Sequence, residues 1–427
     1  MPLPSPFPAL PIPQGFDTPT AAYLHIPFCR RRCYYCDFAV SIVGDNARGE
    51  TSGAIAQYVD LLLQEIQTTP VLGDSLQSVF FGGGTPSLLS VDQLDQILNA
   101  LHQRFGIAPS AEISMEMDPG TFDETHLSGY LKAGVNRVSL GVQAFQAELL
   151  TACGRTHSPA DIEAAIALLK QEGVSNFSLD LISGLPHQTM AQWQESLERA
   201  IALHPTHISV YDLTIEAVTA FGRWYTPGAH PLPSDEMTAD MYRQTQQTFT
   251  QTGYDHYEIS NYAKPGFQCR HNRVYWENRS YYSFGMGAAS YTQGQRFTRP
   301  RTRREYAAWV EHLKAAGGQI DCPVTPAEER LLDTLMVGLR LAEGVSLTRL
   351  SQEFGEALVK KMLKCLIPYE KEGWVVRSEA PLEQPRLPVT LKEAHDANPS
   401  DRLRLTDPEG FLFSNVVLST LFEALPN

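Results

Sequence analysis

No stretch of this 427-residue chain approaches the roughly 20 uninterrupted apolar residues that a membrane-spanning helix needs, so no span is expected. Positive charge is scarce. Against 48 Asp and Glu stand 34 Lys and Arg, and a net charge of −14 leaves no basic face to neutralise nucleic-acid phosphates. A general nucleic-acid binder is thereby excluded. The first 20 residues hold seven prolines and not one basic residue, whereas secretory and transit peptides both carry positive charge near the start. Residues 1–20 read instead as an extended, polyproline-like leader, and a cytosolic protein is expected. Cysteine is sparse too: there are seven, an odd number ill suited to a disulfide framework. Cys153, Cys269, Cys322 and Cys365 are scattered and supply no second paired hook of the kind a structural zinc site uses.

What is present is concentrated. Cys29, Cys33 and Cys36 fall within eight residues, just after a short apolar run that begins near Tyr23. Three thiolates on one loop can ligate three irons of a [4Fe–4S] cube, which usually takes four, so the fourth iron stays open to a non-protein ligand. Arg30, Arg31 and Arg32 lie between the first two cysteines. They offset the cluster's negative charge, meet an anionic partner, or simply form a solvated loop.

With 43% hydrophobic residues the chain can bury a large core and is long enough for two domains. From 21 to about 214, β-rich runs alternate with helix-like segments. The strands expected are Ala21–Ile26, Leu76–Phe81, Ala111–Met117, Arg137–Gln143, Asn176–Ile182 and His207–Leu213, with amphipathic stretches such as Ala54–Gln67 and Ala160–Glu172 between them. Serial β–α repeats imply an α/β fold whose parallel sheet curves into a partial (β/α)6 barrel, with ligands at the carboxyl ends of the strands. Polar candidates recur there. Gly82-Gly83-Gly84-Thr85-Pro86 follows the second strand, where glycine allows either close approach to a ligand or a sharp turn. Glu116 and Asp118 close the third strand, Gln143 the fourth, Arg155 lies just beyond it in Cys-Gly-Arg-Thr-His157, and Asp180 sits in the fifth. A carboxylate in an apolar strand needs a partner, which a structural ion pair also provides.

Residues 215–300 look transitional. They contain Cys269-Arg-His271-Asn272-Arg-Val-Tyr275-Trp276, in which the rings suit a planar ligand, the imidazole can ligate iron and the amide can orient it. A hydrogen-bonded core histidine is the reading that chemistry alone favours. Near Thr325-Pro-Ala-Glu328 a helix cap opens a small helix-rich domain of winged-helix character. Its helical stretches are 347–355, 356–368 and Ser414–Leu425, its short strands Trp374–Arg377 and Leu403–Thr406, and Pro- and acid-rich residues 379–401 interrupt its wing.

Nearly the whole chain resembles the HemN/HemW family of radical S-adenosylmethionine (SAM) proteins, the oxygen-independent coproporphyrinogen III oxidases and related heme chaperones. The motifs that carry the resemblance are Tyr23–Cys36, Gly82–Pro86, Gly141–Gln143, Asp180–Pro186, His271–Trp276 and the C-terminal domain. It implies a radical SAM core with its extension over 21–300 and a HemN-type domain over 301–427. It further implies that SAM chelates the open iron; in that superfamily an electron from the cluster cleaves it to methionine and a 5′-deoxyadenosyl radical, and for this chain the motifs leave open whether SAM is cleaved or only bound. By the same resemblance Gly83 and Gly84 lie at the SAM amine, Glu116, Gln143, Arg155 and Asp180 surround its methionyl and ribosyl parts, and Tyr23 stands beside the cluster.

Three features point to the chaperone branch. Phe38 stands where the oxidases carry a further cysteine, only 28 residues precede Cys29, and the His-Asn-x-x-Tyr-Trp run at 271–276 resembles that branch's heme-associated motif. The implied protein binds heme, with His271 and Asn272 as candidate contacts, and hands it to an acceptor hemoprotein. The alternative is an oxidase that converts propionate side chains of coproporphyrinogen III to vinyl groups with loss of carbon dioxide. A pure interaction protein fits less well, because the candidate SAM residues recur strand by strand. A homodimer is compatible with these motifs, which do not specify the acceptor.

Overall fold

The computed structural model describes residues 16–378 and 401–425; the leader's first six prolines and the insert at 379–400 lie outside the described residues. Two compact units cut across the linear order. The first takes the chain up to Asp235 together with Arg279–Val324, and the second takes Glu236–Asn278 and the chain from Thr325 on. This division differs from a linear boundary at 300/301, because the stretch that looked transitional contributes to both units.

The parallel strands of the first unit's main sheet are β1 (Ala21–Ile26), β2 (Leu76–Gly83), β3 (Ile107–Met117), β4 (Arg137–Gln143), β5 (Phe177–Ser183), β6 (His207–Asp212) and β7 (Tyr282–Phe284). They pair in the order β7-β1-β2-β3-β4-β5-β6, and each of these pairs is parallel. The inner strands are buried along most of their length, as helices on the outer face of a parallel sheet require. Helix α1 (Gly53–Thr68) turns Ile55, Tyr58, Val59, Leu62 and Ile66 inward, and the Ser52 side chain caps it by accepting from the Ile55 N–H. Helix α2 (Val91–Phe105) starts at a Ser90/Gln93 capping box, and α3 (Pro159–Gln171) at a Ser158/Asp161 box with proline at its first position. The β/α core is thus the partial barrel expected, with β7 as an addition. Its three residues, Tyr-Ser-Phe, are too few to show any periodicity.

The second unit contains a helix over Asp235–Gln251 that the sequence did not suggest, because only Met241, Tyr242, Thr245 and Phe249 of its mostly polar residues are buried. Helices Ala327–Gly338, Leu347–Phe354, Glu356–Lys371 and Ser414–Ala424 surround an antiparallel sheet in which Arg402–Leu405 lies between Val345–Ser346 and Val375–Ser378. Leu335, Met362, Leu366, Leu403, Val417 and Leu421 form its dry centre, the packing of a small winged-helix-like domain. Among the described residues no helix is long and apolar enough to cross a membrane.

Candidate functional site

At the carboxyl ends of β1 to β6 opens a cavity of about 390 Å³, lined by Cys29, Cys33 and Cys36 and by groups from each successive strand end. The cysteine loop is tied to the glycine turn by backbone. Gly84 N–H donates to the Ile26 carbonyl at 2.9 Å, and Thr85 N–H donates to the Phe28 carbonyl at 2.7 Å. A Cβ on Gly84 would lie 2.7 Å from each of those two oxygens, so close approach of main chains is what this glycine is for. A turn closed from Cys36 N–H to the Cys33 carbonyl at 3.2 Å brings the second and third thiols together. Burial, then the Asp118 charge, pushes the Cys29 thiol up to about 12, and burial likewise raises Cys36. A nearby positive centre such as a metal ion lowers a thiol of this kind again. The Arg155 guanidinium donates to Cys33 Sγ at 3.4 Å. Among the described residues no three His, Cys, Asp or Glu side chains gather around the common point that one ion needs. Three thiols lining one cavity are the donor set that three corners of a [4Fe–4S] cube take.

Across the cavity the expected polar residues converge. Gly83 N–H donates to Glu116 Oε2 at 3.0 Å, and Ser139 and Ser178 donate to Asp180 at 3.0 and 3.3 Å. Burial first, and the charge of Asp180 second, pushes Glu116 up to about 8; burial raises Asp180 as well. Two desolvated carboxylates facing one space favour a cationic guest, whose charge would remove their protons. Arg155 reaches Asp118 at 2.5 Å and the Gly141 carbonyl at 3.0 Å, and Thr85 Oγ1 donates to Asp118 at 3.1 Å. Gln143 adopts a positive φ of 67° where the register between β4 and β5 slips, and it lines the cavity. Tyr23 stands one layer back, its hydroxyl 3.1 Å from His25 Nδ1 and its ring against Gly82. Sequence reasoning noted Asp118 without giving it a role, and it passed over Asp212 and Tyr211, which also line the cavity. Asp118 could have been found as the carboxylate one step past a strand end, but its pairing with Arg155, 37 residues on, is a fact of folding.

His271 and Asn272 belong to the short helix Arg270–Trp276 of the second unit. His271 is 1% exposed, and its Nε2 lies 2.9 Å from the Tyr275 hydroxyl, with the two rings edge to face. The i,i+4 spacing puts the two residues on one helix face. Cys269 is fully buried, and its N–H donates to the Tyr257 hydroxyl at 3.3 Å. In this arrangement the imidazole is of the right donor type, yet its Nε2 is already engaged.

The model of the radical SAM superfamily matches residues 23–200, and that of the HemN C-terminal domain matches 325–383. "Heme chaperone HemW" of Synechocystis is 47% identical over 412 residues, covering 95% of this chain and 97% of that protein. A protein of the same description from Lactococcus lactis is 35% identical, with 79% and 85% covered. Among solved structures, coproporphyrinogen III oxidase (HemN) from Escherichia coli superposes with a TM-score of 0.75 over 96% of this chain and 91% of its own, at 22% identity, a likeness of fold.

Proposed function

This chain belongs to the HemW family of radical SAM proteins, and on that premise we propose that it binds heme, a [4Fe–4S] cluster and SAM and delivers the heme to an acceptor hemoprotein. The observation that carries the cofactor part is the meeting of three thiols, a glycine edge and two raised carboxylates in one cavity. Cys29, Cys33 and Cys36 would hold the cluster, and SAM would complete its fourth iron. When bound, the cluster supplies one-electron reduction. The residues of this chain bind and orient. Gly83 and Gly84 offer bare backbone to the SAM amine, Glu116 and Asp180 offer carboxylates, Gln143 and Arg155 frame the remaining polar parts, and Tyr23 supports the wall behind Glu116. A reducing cytosol, in which free thiols persist, suits such a protein.

The heme assignment draws support from the family and from the donor type of His271, with Asn272 beside it as an orienting amide. For His271 Nε2 to meet iron, the Tyr275 hydroxyl must give it up. Tyr275→Phe is therefore expected to tighten heme binding about fivefold, the worth of one modest hydrogen bond no longer broken. His271→Ala should lose the imidazole signature in the Soret spectrum, and Cys269→Ala should leave it unchanged. If heme titration gives one affinity and one spectrum for wild type, His271→Ala and Tyr275→Phe, the ligand lies elsewhere in the chain.

An oxidase reading meets an obstacle at the cavity itself. Phe38, 58% exposed, lines it where the oxidase pattern has a thiol. Anaerobic protein given SAM, reductant and coproporphyrinogen III is expected to yield no vinyl product while still binding heme. Stoichiometric vinyl porphyrin would replace the chaperone reading with the enzymatic one.

A further inference from the structure

The end of β4 holds a strained turn. Ala144 N–H donates back to the Val142 carbonyl at 2.9 Å, closing a three-residue γ-turn with Gln143 at its centre and at φ 67°. That form of the γ-turn is rare for a residue with a Cβ, and it persists only where the surroundings over-determine it. Two side chains from the segment that follows do so. Arg155 donates to the Gly141 carbonyl at 3.0 Å, and His157 Nε2 donates to the Val142 carbonyl at 3.1 Å. A carbonyl only accepts, so Nε2 carries the proton. Nδ1 is buried with no hydrogen-bond partner, and the residue is 6% exposed. A buried imidazole thus makes its hydrogen bond to the carbonyl that closes the strained turn. His157 does not line the cavity; Gln143 does.

We propose that His157 is a positioning residue, which pins Val142 and so holds Gln143 in the orientation that faces the SAM cavity. The inference rests on the SAM reading given above. An imidazole that merely filled space would serve equally well as a phenyl ring, so the two roles separate on substitution.

The experiment uses full-length, cluster-loaded protein carrying His157→Phe, His157→Gln, Gln143→Ala, or His157→Phe with Gln143→Ala. His157→Phe is expected to raise the calorimetric dissociation constant for SAM about tenfold, the worth of one buried hydrogen bond and the turn it holds. His157→Gln, whose amide can still donate to Val142, should recover most of the loss. In the Gln143→Ala background His157→Phe should cost nothing further, because the interaction it supports is already gone. Hydrogen exchange at the Ala144 amide, measured without SAM, should quicken in His157→Phe and not in His157→Gln. Unchanged SAM affinity in folded His157→Phe, or the same tenfold loss with and without Gln143, would overturn the proposal. Should the phenylalanine variant not fold, His157→Leu takes its place in both measurements. If wild type binds no SAM, the ligand assignment fails, and exchange at Ala144 still decides whether His157 holds the turn.

Discussion

Alanine at Cys33 is expected to lower the iron and sulfide retained after anaerobic reconstitution by roughly an order of magnitude, because the loop offers only three protein anchors for the cluster. Cys33 is the most informative of the three. Its sulfur accepts from Arg155, its carbonyl accepts the Cys36 N–H, and it faces the cavity, so the thiol can be removed while the backbone turn remains. Circular dichroism should therefore match wild type. SAM binding should fall with the cluster, since the open iron is the proposed anchor of its amino and carboxylate groups. Visible absorption and iron analysis on the same sample provide the check. A triple Cys29, Cys33, Cys36→Ala protein that kept its full cluster would refute the assignment outright.

Gly141→Ala is expected to weaken SAM binding by about 3 kcal/mol, on the order of a hundredfold, while leaving the cluster in place. A Cβ there would lie 2.7 Å from Asp118 Oδ1, 3.2 Å from Gln143 Nε2 and 3.3 Å from Arg155 Nη2. These are the ends of flexible side chains, so the fold can absorb the methyl group. The site cannot, because the same three ends form its polar wall. The largest loss comes from the largely buried Arg155–Asp118 pair, whose contact is too short to survive displacement without cost. Calorimetry on cluster-loaded protein, with a melting curve as control, measures both halves of the expectation. Wild-type SAM affinity in Gly141→Ala would mean that these groups do not touch the ligand.

The strands of the barrel were legible to within a few residues because each is a buried, β-rich run bounded by turn residues. The three-residue β7 and the polar helix Asp235–Gln251 were not, since neither carries enough apolar residues to show a period. Among the site residues, the cysteines, the glycines and Glu116, Gln143, Arg155 and Asp180 were named from motif and strand-end position, and they line one cavity. Tyr23 was named with them but stands behind the wall. Two pairings lay beyond the sequence for one reason. Asp118 has meaning only once Arg155 is folded against it, and His157 only once Val142 is.

Cysteine spacing, the glycine run and the alternation of strand and helix are local properties, so the chain's order alone determined the cysteine loop, the β/α core and the end of the sheet where the candidate residues gather. The γ-turn at Gln143, the crowding at Gly141, the carboxyl pushed up at Glu116 and the hydroxyl that occupies His271 depend on which atoms arrive beside them. Desolvation, strain and hydrogen-bond partnership are properties of neighbourhoods assembled from distant segments, and only tertiary structure decides them.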